Sequence, residues 1–265
     1  MVYHSTLARL ASVAEDQWGL LTRRQAELAG VSRATLQRLA ASGLLERVAH
    51  GVYHLAGAPL PEHAELRAAW LQLAPDVPAW ERTPAQGVVS HRSAAALYGL
   101  GHLPAERHDF TLPARRQSRR ADVRLHRRPL AESERTWLHG LPVTRPARIA
   151  ADLAGDLEDP EAIAYLIADA LRPGFDDPAA VAAALAPQAA RSGFRRGDGV
   201  AVLRWLLGAI DDPAAAGWLA QAAAGAVTGT AVALAGAGQA DGPGPGPVTD
   251  SGASRPPTRE GGGPG

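Results

Sequence analysis

The chain has 265 residues, 46% of them hydrophobic, enough for one good core or two small ones. It contains neither cysteine nor lysine, which excludes thiol nucleophiles, disulfides, cysteine-ligated zinc, a lysine-bearing phosphate loop and a Schiff-base lysine. The formal net charge is zero, yet residues 1–148 hold 20 Arg against 13 Asp and Glu while residues 149–265 hold 7 Arg against 14, so the first half is suited to nucleic acid and the second to another task.

Met1 to Leu10 contains no apolar run, so no signal peptide is expected. Leu7, Leu10, Ala11 and Ala14 share one face of a first helix. A second begins at Thr22, where T-x-x-Q with Gln25 forms a capping box, and ends at Ala29-Gly30. Ser32 caps a third, with Leu36, Leu39 and Ala40 turned inward. Ala26, Gly30 and Leu36 have the small–glycine–apolar spacing of a helix-turn-helix.

In that geometry the start of the third helix approaches base edges. Arg33, Thr35, Gln37 and Arg38 are the candidate readers, Arg suiting guanine and Gln adenine. Arg23, Arg24 and the Ser32 hydroxyl suit phosphates, which position without reading sequence. From Leu44 to Leu55 the pattern alternates around His50-Gly51 as a short hairpin, a wing that brings Arg47 and His50 to the backbone or minor groove. The alternatives are a plain three-helix bundle with solvated arginines and a winged helix that docks protein.

Ser90 is expected to cap a helix running to Gly99. Phe110-Thr111-Leu112 and Asp122 to Arg127 read as strands, Val143 lies in an extended piece, and Thr144 is expected to cap a helix carrying Arg148 and Asp152. Residues 149–210 read as helical, with Ile149, Leu153, Ile163, Leu166, Ile167 and Leu171 as the apolar face. From Asp211 the chain is Ala/Gly-rich and from Asp241 Gly/Pro/Ser/Thr-rich. That composition predicts a largely disordered tail, too weakly apolar over 213–240 for a membrane helix.

Taken in order, residues 20–57, VVSHRSAAALYGL (88–100), HDFTLP (108–113), VRLHRR (123–128) and GLPVTRPARIAADLA (140–154) resemble the AbiEi-type antitoxin family, the antitoxin halves of type IV toxin–antitoxin systems tied to abortive phage infection. The resemblance covers about residues 4–208. It implies a winged helix that represses the protein's own operon and an α+β domain that neutralises a nucleotidyltransferase-type toxin, with no requirement that toxin and antitoxin bind each other. Some relatives carry a metal-dependent endonuclease domain; its strand-borne acidic cluster is missing, because Asp156, Glu158, Asp159, Asp176 and Asp177 fall at helix starts and in loops.

The Arg-rich stretch 107–128 has eight Arg and two acids, and Arg115, Arg116, Arg119, Arg120, Arg124, Arg127 and Arg128 form a candidate second basic patch for phosphates or an acidic partner, or else a solvated hairpin. His50 and His54 lie on a hairpin and do not converge as zinc ligands would. His91, Arg92 and Ser93 form a candidate anion site at a helix start, more simply read as caps facing solvent. A Ser90–His126–Asp152 triad lacks a supporting nucleophile turn.

The expectation is therefore an α+β protein with a winged helix-turn-helix at 1–57, an antitoxin-like domain at 58–210 (mixed α/β to 148, then helical) and the tail at 211–265. It is a cytoplasmic, non-enzymatic protein with no catalytic residue, metal or cofactor, whose partners are double-stranded operator DNA and a nucleotidyltransferase-like toxin. A stand-alone winged-helix regulator is the alternative; a nuclease or other hydrolase is the third possibility.

Overall fold

The computed structural model describes residues 2–237. Helix α1 (Val2–Glu15) buries Leu10 and Ala14, four residues apart on one face. Strand β1 (Leu20–Thr22) runs directly into α2 (Arg23–Leu28), because Thr22 ends the one and caps the other. Its hydroxyl accepts from the Gln25 amide at 3.1 Å while Gln25 Oε1 accepts from the Thr22 amide at 2.9 Å. Gly30, at φ +78°, turns the chain into α3 (Arg33–Ala41), where Ser32 Oγ accepts from the Thr35 amide at 3.2 Å. Leu36 and Leu39 close a small core with Leu10, Leu21, Ala26, Val31 and Leu45.

The wing is present as β2 (Leu45–Ala49) and β3 (Val52–Leu55), antiparallel, with an irregularity between Arg47 and Ala49 and Gly51 at φ +70° in the turn. Strand β1 adds to it in the order β1-β3-β2, a pairing too short to carry a sequence period. Leu20 and Val52 of this sheet are also part of the larger core described next.

Helix α4 (Ala64–Leu73) contacts both the amino-terminal sheet and β5 (His108–Leu112) of a second sheet. That sheet has the order β6-β5-β4-β8-β7, with β4 (Val88–Val89), β6 (Val123–Arg127), β7 (Arg135–Leu138) and β8 (Leu141–Thr144). Strands β5 and β6 are parallel, so the Arg-rich stretch is not the hairpin expected from sequence; residues 113–122 form a return connection. Helix α5 (His91–Tyr98) follows β4, and α6 (Pro146–Gly155), α7 (Pro160–Leu171), α8 (Pro178–Leu185) and α9 (Gly199–Leu207) follow the sheet. Proline opens α6, α7 and α8, where its missing N–H costs nothing, and Asp159, Asp177 and Asp198 cap α7, α8 and α9. All six apolar residues expected to face the core between 149 and 171 are buried.

Three expectations change. Ser90 makes no capping bond to α5, because its hydroxyl is engaged by Thr111 and His91. Thr144 ends β8 and reaches Val89 O at 3.4 Å; the cap position of α6 is Arg145, while the buried Asp176 carboxylate accepts from the Ala147 amide at 2.9 Å. The first part of the expected disordered tail is helix α10 (Ala215–Ala237), with Ala222 buried against the core. Alanine has the highest helix propensity, which outweighs the glycines there. Residues 238–265 lie outside the described residues. Of the described residues, 2–227 belong to one compact unit. The architecture is α+β.

Trp70 on α4 is fully buried and donates its indole N–H to Gly87 O at 2.8 Å. Trp70→Ala is expected to lower the stability of the chain by about 3–5 kcal/mol, read as a shifted urea midpoint at unchanged slope.

Candidate nucleic-acid interface

With Leu36 and Leu39 fixed in the core, helical geometry turns Arg33, Gln37 and Arg38 outward, and all three are exposed. Thr35 is half-buried and serves its neighbours: its hydroxyl pairs with Ser32 Oγ at 3.0 Å and accepts from Arg38 Nη2 at 3.1 Å. It therefore faces the Arg38 guanidinium, a contact that sequence spacing did not distinguish from exposure to a groove. Ser32 is exposed but already occupied as the cap of α3.

Arg23 and Arg24 are exposed at the start of α2 and share one carboxylate, Glu27, at 3.6 and 3.3 Å. Exposed pairs of this kind contribute little and are readily exchanged for phosphate. The Arg23 amide donates to Gly51 O at 2.8 Å, which fixes the wing turn beside the start of α2. On the wing, Arg47 Nη2 lies 2.8 Å from His50 Nδ1, and both side chains are exposed.

The seven arginines of the second basic patch have different surroundings. Arg115 and Arg119 are exposed on the loop 113–122. Arg116 donates to Leu73 O at the end of α4, and Arg120 is paired with Asp122. Arg120 and Asp122 line a cavity of about 350 Å³ together with Val48, Ala49 and His50, so the loop borders the wing. Arg124 is bound to Asp156 at 3.2 Å on another cavity, and Arg127 and Arg128 are exposed at the end of β6.

A second group of polar residues lies inside the α5–β6–α6 layer. His91 is buried at φ +52°, and its ring stacks on His126 with centroids 3.5 Å apart and planes 13° apart. Burial drives the His91 pKa down to about 2, and the charges of His126, Arg124, Arg128 and Arg148 push it the same way. His126 Nε2 lies 2.8 Å from Asp109 Oδ1. Asp152 accepts from Arg148 Nε at 2.9 Å through Oδ1, while its Oδ2 is buried without a partner among the described residues; burial raises its pKa against the pull of Arg148.

This arrangement corrects the reading of the α5 start and agrees with setting the triad aside. His91 and Ser93 are buried and not at a solvated anion site: Ser93 Oγ donates to Arg107 O at 2.9 Å, and Arg92 is bound to Glu158 at 2.8 Å. The Ser90–His126–Asp152 triad is not assembled either, since Ser90 bonds to His91 and Thr111, and His126 to Asp109. Sequence reasoning missed the convergence of His91, His126 and Asp156, because no spacing within one element announces it.

Among the described residues no helix is long and apolar enough to cross a membrane. No curated protein matches the chain significantly. Residues 8–56 match the family described as transcriptional regulator, AbiEi antitoxin, and residues 86–197 match the AbiEi antitoxin C-terminal domain. The two matches together take in more than half of the chain. With a winged helix-turn-helix at one end and the antitoxin domain behind it, the chain belongs to the AbiEi antitoxin family and is a DNA-binding transcriptional regulator of that family.

Proposed function

We propose that the protein is the antitoxin of a type IV toxin–antitoxin pair, repressing its own operon through the winged helix and neutralising a nucleotidyltransferase-type toxin through the module that follows. The observation that carries the DNA-binding half is the outward face of α3, where Arg33, Gln37 and Arg38 stand exposed over a helix pinned by Leu36 and Leu39. On this reading Arg33, Gln37 and Arg38 read base edges in the major groove, and Thr35 holds Arg38 in place. Arg23, Arg24, Arg47 and His50 contact phosphates, with Ser32 presenting the helix end. Arg115 and Arg119, on the loop bordering the wing, extend that backbone contact; Arg116 and Arg120 are held in structural bonds, and Arg124, Arg127 and Arg128 lie beyond the loop on β6 and just after it. The protein acts in the cytoplasm and performs no catalysis itself.

The double change Arg33→Glu and Arg38→Glu is expected to abolish retardation of the upstream promoter fragment while growth rescue from the co-expressed toxin survives. Loss of both with an intact fold would refute separable functions. Rescue of no toxin from a neighbouring reading frame, with promoter binding intact, would favour a stand-alone regulator.

The double change Arg115→Gln and Arg119→Gln is expected to weaken binding to all duplex sequences alike. The slope of log K against log salt should become shallower by about 0.9 for each phosphate that is no longer neutralised. An unchanged slope would remove the loop from the interface.

A further inference from the structure

We propose that His91, His126 and Asp156 form a binding site for a divalent transition-metal ion of the zinc type. One donor atom from each lies within 4.8 Å of the others, a convergence found nowhere else among the described residues. The three come from different elements: His91 opens α5, His126 lies on β6, and Asp156 ends α6. Two imidazoles and a carboxylate are a donor set that suits zinc and its neighbours better than magnesium or calcium, which take oxygen ligands.

Both imidazoles are supported as metal ligands usually are, by a partner on the second ring nitrogen. His91 Nδ1 is 3.0 Å from Ser90 Oγ, itself held by Thr111 at 2.9 Å, which leaves Nε2 to offer. His126 Nε2 is 2.8 Å from Asp109 Oδ1, which leaves Nδ1. Asp156 uses Oδ2 toward Arg124, so Oδ1 remains. Behind these groups stands Asp152, coupled to His126 and 2% exposed, with its Oδ2 unpartnered. A buried acceptor without a partner carries a cost that a nearby cation or its bound water offsets.

An open cavity of about 450 Å³ reaches the Asp156 side of the group, lined by Asp109, Arg124, Asp156 and Glu158 among others; the two histidines lie behind that lining. An ion with bonds of about 2.0–2.2 Å requires the three donor atoms to draw slightly together and the stacked rings to tilt apart. Arg124, Arg128 and Arg148 oppose a dication, and Asp109, Asp152 and Asp156 offset them. Because the ligands join a strand to two helices, filling the site ties the layer together. The inference is independent of the DNA-binding reading, since none of these residues lies on the winged helix.

The test is calorimetric titration of the full chain, stripped with a chelator, with zinc chloride, alongside its thermal unfolding. One zinc per chain and a raised Tm are expected. Asp156→Asn, at an exposed helix end and therefore tolerated by the fold, should abolish the binding, as should His126→Asn. Asp109→Asn should weaken it about 10- to 100-fold, the usual loss for a partner of a metal-bound histidine. His50→Asn, on the wing, should leave it unchanged. No zinc uptake by the parent chain, or uptake undiminished in Asp156→Asn and His126→Asn, would overturn the proposal.

Discussion

The joining of the winged helix to the rest of the chain rests on the grip of α4 on both sheets. Arg67 on α4 lies over the Trp18 ring at 4.3 Å, and Trp18 meets Trp70 edge-on at 6.0 Å. The same guanidinium donates to Glu62 O at 2.8 Å and to His139 O, in the turn between β7 and β8, at 2.9 Å. Burial penalises that charge and lowers its pKa, and the ring face and two carbonyls offset the penalty. One side chain thus touches the amino-terminal module, the helix between the modules and the far end of the second sheet.

A second arginine fixes the other end of α4. Arg82 donates to the carbonyls of Trp70, Leu71, Ala74 and Val77 and stacks over Trp70 at 4.5 Å. The last carbonyls of a helix have no partners of their own and carry the negative end of its dipole, so a buried cation is well placed there. Even so, burial brings its pKa down to about 10. Gln25 and Thr22, the capping box of α2, also bond across to Val77 O and Pro75 O in the segment after α4. A local signal for starting a helix therefore serves a second purpose, joining the DNA-binding module to the rest of the chain.

Legibility in the sequence followed the range of the interactions. The Thr22 box, the Ser32 cap and the Gly30 turn are local and readable within four or five residues, and the wing around His50-Gly51 within the twelve from Leu44 to Leu55. So was the apolar face from Ile149 to Leu171. Strands β1 and β4, of three and two residues, have no period to detect and exist only through their neighbours. Ser90 and Thr144 have the side chains of caps, yet each is taken by a strand neighbour, Thr111 or Val89, so tertiary demand overrides local preference. At the interface, exposure of the arginines on α3 was legible from helical spacing; the division of labour between Thr35 and Arg38, and the occupation of Arg116 and Arg120 by Leu73 O and Asp122, was not.

The two regions of interest differ in what holds them, and this governs how each tolerates change. Arg33, Gln37 and Arg38 on α3 and Arg47 and His50 on the wing are exposed on a backbone set by apolar residues behind them, so their chemistry can vary with small effect on stability. The α5–β6–α6 layer is the opposite case. His91 sits at positive φ, costly for a residue with a side chain, and persists because its ring stacks on His126 and its Nδ1 meets Ser90. His126 in turn depends on Asp109, and Asp152 on Arg148 and Glu134 beyond it. An apolar core of the same volume would avoid both the strain and the orphaned carboxylate oxygen. Retaining both concentrates chemistry in a place where packing alone does not require it, and puts it behind a sheet that α4 couples to the DNA-binding module.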